Sequence, residues 1–333
     1  MPRAESSIDW TAPVSMRLRA VEVDTQTWDG SDELGNVVAA SVSRDSSTPL
    51  VESGSLTLEG DGLPEAETWV RIEVLATQGG TFERHPVATM LFQPAPTTVR
   101  RGSTSMAMDG CSVLAPAEDR VLLAGTTVAA GADAAAAAVG LISQCTPAPT
   151  SADGGFSLAE PMTFAGGTTH LEAARMLVDA AGWCIQVETD GTIHVRPKPT
   201  VPAIELDAQT IGTSVQVADS DGIRPNRYVA VDSERVAIAT WGEPTRYVDE
   251  YDGSPKPVGN ETLQEYAERM LAELNAVTGT REYERPWAPG VTAWDMAHGA
   301  VPAAQLDGDM RIANQSLEIG HGIKVTEECE VIA

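Results

Sequence analysis

The groups best suited to chemistry in this sequence are five histidines, four cysteines and 48 carboxylates, and their spacing limits what they can do. His85, His170, His194, His298 and His321 never fall at a metal-ligand spacing from one another. None has a cysteine close by, so no zinc-type donor set is written in the chain. His170 falls in the first turn of a predicted helix and reads as a surface residue. Cys111, Cys145, Cys184 and Cys329 are far apart. In a chain of this size they read as small buried hydrophobes of a reducing compartment, with a disulfide neither required nor excluded.

Nucleophilic catalysis has no visible frame either. A serine nucleophile of the Gly-x-Ser-x-Gly kind is missing, and the glycine pairs Gly79–Gly80, Gly154–Gly155 and Gly166–Gly167 match neither a phosphate loop nor a dinucleotide fingerprint. Gly166–Gly167 reads better as the bend leading into a helix. Glycosidase chemistry needs two carboxylates facing each other across a cleft. Glu282 and Glu284 flank Tyr283, and Asp307 and Asp309 flank Gly308. At two-residue spacing on a strand both members point the same way, so both pairs read as solvated acids. Trp69 and Trp183 open apolar alternating segments and read as core. Trp287 and Trp294 bracket the Pro289–Gly290 turn, where a local core lid and a contact surface both stand. The sequence thus assigns no catalytic, cofactor-binding or metal-binding residue, and a structural rather than enzymatic role is expected.

The elements that would position any surface are read from periodicity. Val14, Met16, Leu18 and Ala20 alternate with Arg17 and Arg19, and segments 50–60 and 69–76 repeat the habit. Gly79–Gly80 is a turn, 82–92 the returning strand, and 103–108 resumes the pattern after Pro94 and Pro96. In the middle, Asp133 precedes a run of alanines that favours a short helix. Thr169 and Glu172 have capping-box spacing, with Leu171, Ala174, Leu177, Val178 and Ala181 as the apolar face and Gly182 as the stop. Trp183–Val187 and Ile193–Val195 form a hairpin about Asp190–Gly191. In the last third, strands are expected at 228–232, 235–241, 281–285, 310–319 and 323–332. Thr262 and Glu265 are spaced as a second capping box ahead of the Leu263–Leu274 face.

With 333 residues, 29 glycines and 21 prolines, the chain is long enough for two or three turn-rich domains. The 48 acidic against 22 basic residues give a formal net charge of −26, which offers no general attraction for nucleic-acid phosphates. Such acidity serves either as a solubility or halophilic device or as a surface past which another polyanion slides without sticking. No apolar run reaches membrane-spanning length, and Met1–Trp10 lacks the pattern of a signal peptide.

The segment FAGGTTHLEAARMLVDAAGWCIQVETDGTIHVRP, Phe164 to Pro197, resembles the helix-and-hairpin unit of phage tail-tip and baseplate hub proteins. VRIEVLATQGGTFERHPVATMLF, Val70 to Phe92, is similar to the barrel hairpin of that superfamily, with Met90 where glycine is commoner. NRYVAV, Asn226 to Val231, followed by a polar loop, a helix and a strand, resembles the order of its second barrel. The resemblance implies a mixed β-rich α+β chain: a first barrel-like β domain at 10–110, a helical and α+β insert at 111–204, and a second barrel-like β domain with one helix at 205–333. It further implies a homotrimeric ring in the virion tail tip, assembled in the host bacterial cytoplasm. Such a ring would contact a tail tube or distal tail protein on one side and a tip or spike protein on the other, and double-stranded DNA would pass through it without specific binding. Some relatives carry an added peptidase or lysozyme domain, and none is expected after the second barrel here. The competing readings are a carbohydrate- or receptor-binding virion protein and an enzyme whose site is assembled from distant residues.

Overall fold

A computed structural model describes residues 6–10, 12–60, 63–100, 103–212, 214–219, 224–233, 235–320 and 322–332. The first third is built of β1 (Ser15–Val23), β2 (Gly30–Glu33), β3 (Asn36–Asp45), β4 (Glu52–Glu59), β5 (Thr68–Gln78), β6 (Thr81–Gln93), β7 (Thr98–Arg100) and β8 (Ser103–Cys111). Gly79 and Gly80 both have positive φ, as a two-residue hairpin turn whose twist suits its strands demands. Pro86, which cannot donate to a ladder, falls where the β5–β6 register shifts. Val70, Ile72 and Val74 of β5, Ala88, Met90 and Phe92 of β6, and Leu56 and Leu58 of β4 point into one core. Met90 takes the place where the resemblance leads one to expect glycine, and Gly54 on β4 makes room for it. A Cβ on Gly54 would lie 2.7 Å from the Met90 methyl and 2.4 Å from the Ser41 carbonyl oxygen.

The middle holds α1 (Ala115–Asp119), β9 (Thr126–Val128), α2 (Ala134–Ser143), β10 (Thr150–Ala152), β11 (Met162–Phe164), α3 (His170–Ala180), β12 (Trp183–Val187) and β13 (Ile193–Pro197). Asp133 caps α2 by accepting from the Ala136 amide at 3.0 Å. Thr169 caps α3 by accepting from the Glu172 amide, also at 3.0 Å. Its hydroxyl donates to Glu118 at 3.1 Å. Leu171, Ala174, Leu177 and Val178 are buried in a core shared with α2 and the β12–β13 hairpin. The expected surface position of His170 is corrected: its side chain is buried and its Nδ1 lies 3.0 Å from the Leu141 carbonyl oxygen, tying α3 to α2. A polar ring in the first helical turn looks solvated in sequence, but here a helix lies over that turn.

The last third contains β14 (Pro202–Leu206), β15 (Val215–Asp219), β16 (Arg227–Val231), β17 (Val236–Thr240), β18 (Asp249–Asp252), α4 (Leu263–Ala276), β19 (Val277–Pro286), β20 (Met296–Val301), β21 (Leu306–Ile319) and β22 (Ile323–Ile332). The capping box of α4 is complete, with Thr262 and Glu265 each satisfying the other's amide. Of the predicted apolar face of this helix, Leu263, Tyr266, Ala267 and Leu271 are buried and Leu274 is exposed.

β21 pairs with β3, so the first and last thirds share one sheet in the order β15-β19-β22-β21-β3-β4-β8-β6-β5-β1-β2. The β-rich mixed class expected from the sequence is what the chain adopts. The middle unit is fastened to both ends of the chain. Trp28 Nε1 donates to the Asp190 carbonyl at 2.9 Å, and the wholly buried Gln186 donates to Thr292 at 3.0 Å and Asp295 at 3.1 Å. Leu177→Ala removes a fully buried side chain from the α3 core and is expected to lower unfolding free energy by about 2–5 kcal/mol. Urea denaturation followed by circular dichroism measures it, and a change below about 0.5 kcal/mol, typical of exposed sites, contradicts the packing.

Candidate functional site

The most heavily built polar feature is a row of inward-facing side chains that crosses the junction between the first and last thirds. Glu52 of β4 stands opposite Arg44 of β3, Arg44 opposite Gln315 of β21, Gln315 opposite Glu327 of β22, and Glu327 opposite Tyr283 of β19. Each member is buried. Arg44 donates from Nε to Glu52 at 2.9 Å, from Nη1 to Gln315 at 2.6 Å and from Nη2 to the Val87 carbonyl at 2.5 Å. Gln315 donates to Glu327 at 2.7 Å, and Tyr283 donates to the same carboxylate at 3.0 Å. Arg285, two residues along β19, holds Glu327 with both Nε, at 2.8 Å, and Nη2, at 2.5 Å.

The row is charge-balanced, with two guanidiniums for two carboxylates. Burial pushes the Glu52 carboxyl upward, partly offset by Arg44. Burial also pushes the Tyr283 hydroxyl and Cys329 thiol well up, with the Glu327 charge adding to both. The Tyr283 hydroxyl and the Cys329 thiol stay protonated and structural at neutral pH. No nucleophile is activated here.

The residues singled out in sequence are scattered. His85 lies 2.9 Å from Glu83 and packs edge-on against Trp10 and Trp287, while His298 lies 2.7 Å from Asp309. The hydrogen bond that the His298 ring donates to the Asp309 carboxylate raises the His298 pKa. His321 lies outside the described residues. His194 has Ser151 Oγ at 3.1 Å and Asp153 Oδ1 at 3.4 Å, a Ser–His–Asp set that spacing in the sequence does not reveal. Both partners meet the same ring nitrogen, Nδ1, whereas a triad needs the hydroxyl and the carboxylate on opposite nitrogens.

Glu284 pairs with Lys324 at 2.8 Å and Asp307 is exposed, as expected of solvated acids. All four cysteines are free, and burial pushes the Cys184 thiol up to about 12. Among the described residues no group of three His, Cys, Asp or Glu side chains is placed to hold a metal ion. Among the described residues no helix is long and apolar enough to cross a membrane. Trp287 is part of the first core, and Trp294 lies between Lys198 and Arg311 at 5.8 and 5.9 Å.

A second built feature is a strap at the start of the chain. Ser6 Oγ donates to Glu83 Oε2 at 2.7 Å and the Ser7 amide to Oε1 at 2.6 Å. Ile8 is buried, and Trp10 packs edge-on against Trp287 at 5.1 Å. The strap thereby touches both the β5–β6 hairpin and the last third. Hydrogen bonds from Ser7 and Ser6 hold the Glu83 carboxyl at about 2.

No protein-family model matches the sequence, and no curated protein sequence does. The fold does find matches in solved structures. A tail protein from Neisseria meningitidis MC58 superposes with TM-score 0.66 at 14% identity, covering 95% of this chain and 96% of that one. The 43 kDa tail protein of prophage MuSo2 from Shewanella oneidensis gives TM-score 0.67 at 11% identity, covering 96% and 99%. The E. coli c3393 protein, a type VI secretion component described as structurally similar to T4 tail proteins gp27 and gp5, gives TM-score 0.53 at 6% identity, covering 97% and 77%. The likeness to phage tail and baseplate hub proteins read from the three sequence segments therefore holds at the level of the fold.

Two outcomes are expected. Glu327→Gln leaves Arg285 buried without a counter-charge and costs about 3–5 kcal/mol, whereas Arg285→Met with Glu327→Met together costs markedly less. Urea midpoints of the two variants test this, and equal losses contradict the pairing. For the strap, the folded pKa of Glu83 lies below its ordinary value of 4.5. Its tie is thus fully present above the ordinary value and fades as pH falls through about 2. Quenching of Trp10 by acrylamide should rise over that window, and Glu83→Gln should remove the pH dependence.

Proposed function

We propose that this chain is a structural protein of a phage-type tail, the hub that joins the tail tube to the tip. The observation that carries the reading is the whole-length likeness to tail proteins, which spans nearly all of both chains rather than one shared domain. In this reading the β units at 10–110 and 205–333 act as two barrel-like blocks of one subunit, held together through β3 and β21, with 111–204 as the insert between them. Three copies close a ring, since a two-block chain supplies six tube-facing positions from three subunits. One face meets a tube or distal tail protein, the other a tip or spike protein, and the assembly resides at the virion tail tip after forming in the bacterial cytoplasm.

The charge supports a channel that DNA crosses without being held. Basic residues are largely taken up in pairs: Arg19 with Glu73, Arg196 with Asp153, Arg269 with Glu261, Arg311 with Glu330 and Lys324 with Glu284. Each such pair removes a cation that would otherwise bind phosphate and release counterions, and the surplus of carboxylates keeps the polymer off the wall. The repulsion acts within about 8 Å at physiological salt, so it matters only in a narrow passage.

A reconstruction of the purified particle tests the reading as a whole. Three copies around the axis with a net-negative lumen are expected. A sixfold or single-copy placement removes the stoichiometry, and a positive or neutral lumen removes the account of the charge.

A further inference from the structure

Among the described residues the small sheet β17-β16-β18 is covered on one side only, by α4. Tyr228, Ala230, Ala237 and Ala239 seat it on Leu263, Tyr266, Ala267 and Leu271 of α4. Strand alternation turns the other residues outward. Val229, Ile238 and Tyr251 stand in register across the three strands, with Val231 and Val236 forming the adjoining row. Val236 is 63% exposed, Ile238 48% and Tyr251 66%, and the exposed Tyr247, stacked on Arg227, extends the same patch. A soluble surface seldom leaves so contiguous an apolar and aromatic area open unless something covers it.

Two arginines stand against three carboxylates at the ends of this face, a much smaller acidic excess than the chain carries as a whole. At one end Arg227 holds Asp249 through two hydrogen bonds of 2.7 and 2.6 Å, under the Tyr247 ring at 4.6 Å. At the other end Arg235 Nε donates to Asp232 at 2.8 Å, with Glu160 beyond it at 3.9 Å. In a chain of net charge −26 this is an area where another copy meets little repulsion. Its two Arg–Asp pairs also allow each guanidinium of one copy to face a carboxylate of the other. A basic partner would be drawn to the acid-rich surface elsewhere instead.

We infer that the open face of β17-β16-β18 docks a second copy of this chain. Such face-to-face docking is isologous and joins copies two by two, so it is a contact separate from those that would close the three-copy ring.

Mass photometry and sedimentation velocity on the full chain test it with Ile238→Glu and Tyr251→Glu, both at exposed positions. Leu123→Glu, at a fully exposed site on another unit, is the control. The wild type is expected to associate with rising concentration, and more strongly at higher salt, because screening removes the repulsion between like-charged copies. Each face variant should weaken association by about tenfold or more with an unchanged melting temperature, and the control should behave as wild type. A wild type that is monomeric at every concentration, or face variants that associate normally, overturns the inference. A three-copy assembly indifferent to Ile238→Glu keeps the ring and removes this face. An assembly of another order that Ile238→Glu abolishes does the reverse.

Discussion

The structure depends on a single transverse row of hydrogen bonds, Glu52–Arg44–Gln315–Glu327–Tyr283, which crosses five neighbouring strands at one level of the sheet. Only one of its links, Arg44 to Gln315, joins the two distant parts of the chain. Desolvating two ion pairs is expensive, and their mutual attraction roughly returns that cost rather than exceeding it. The gain lies in register. A slip of β21 against β3 by one residue would turn every side chain of one strand to the opposite face, leaving Arg44 buried without Gln315 and Glu327 without one of its donors. An apolar row would tolerate such a slip far better, because Val, Leu and Ile are nearly interchangeable in a core.

The same constraint explains why two halves remote in sequence behave as one body. Backbone ladder bonds between β3 and β21 are indifferent to side-chain identity, so they would permit several alignments. The polar row selects one, and the middle unit reinforces it from outside, since Gln186 reaches the loop before β20 while Arg71 and Trp28 grip the hairpin turn at Asp190. The strap adds a third tie through Trp10 and Trp287. Relative motion of the two halves would have to break all three at once.

Much of the local structure was legible in the sequence because its causes are local. Asp133, Thr169 and Thr262 cap the helices expected of them, and glycine pairs or Asp190–Gly191 turn the hairpins. Thr169 shows one half of its expected box, accepting from the Glu172 amide, and its hydroxyl also donates to Glu118 on another element. β3 escaped the pattern search for a related reason. Its inward positions include Arg44 beside Val42, and its outward ones are small serines, so the contrast between faces is weak. Nor could spacing reveal that Arg44, Glu52, Arg285 and Glu327 are inside, since a buried charge and a solvated one look alike until the partner strand is placed. His170 was misjudged on the same ground.

Burial of these pairs also bears on the surplus charge. Each internal Arg–Glu pair takes one cation and one carboxylate inside together, so the whole net −26 is carried by the remaining groups. The exterior that results repels polyanions within a Debye length and attracts cations over the same range. Against that background the face of β17-β16-β18 differs in kind, being apolar and aromatic with its arginines held by neighbouring carboxylates. The helix behind it has a full capping box and four buried anchors, so the sheet needs no second cover to fold. Stability therefore leaves the residues on its open side unconstrained. That they are valine, isoleucine and tyrosine, in a chain with 48 acidic residues available for such positions, is a composition that solubility alone would not select.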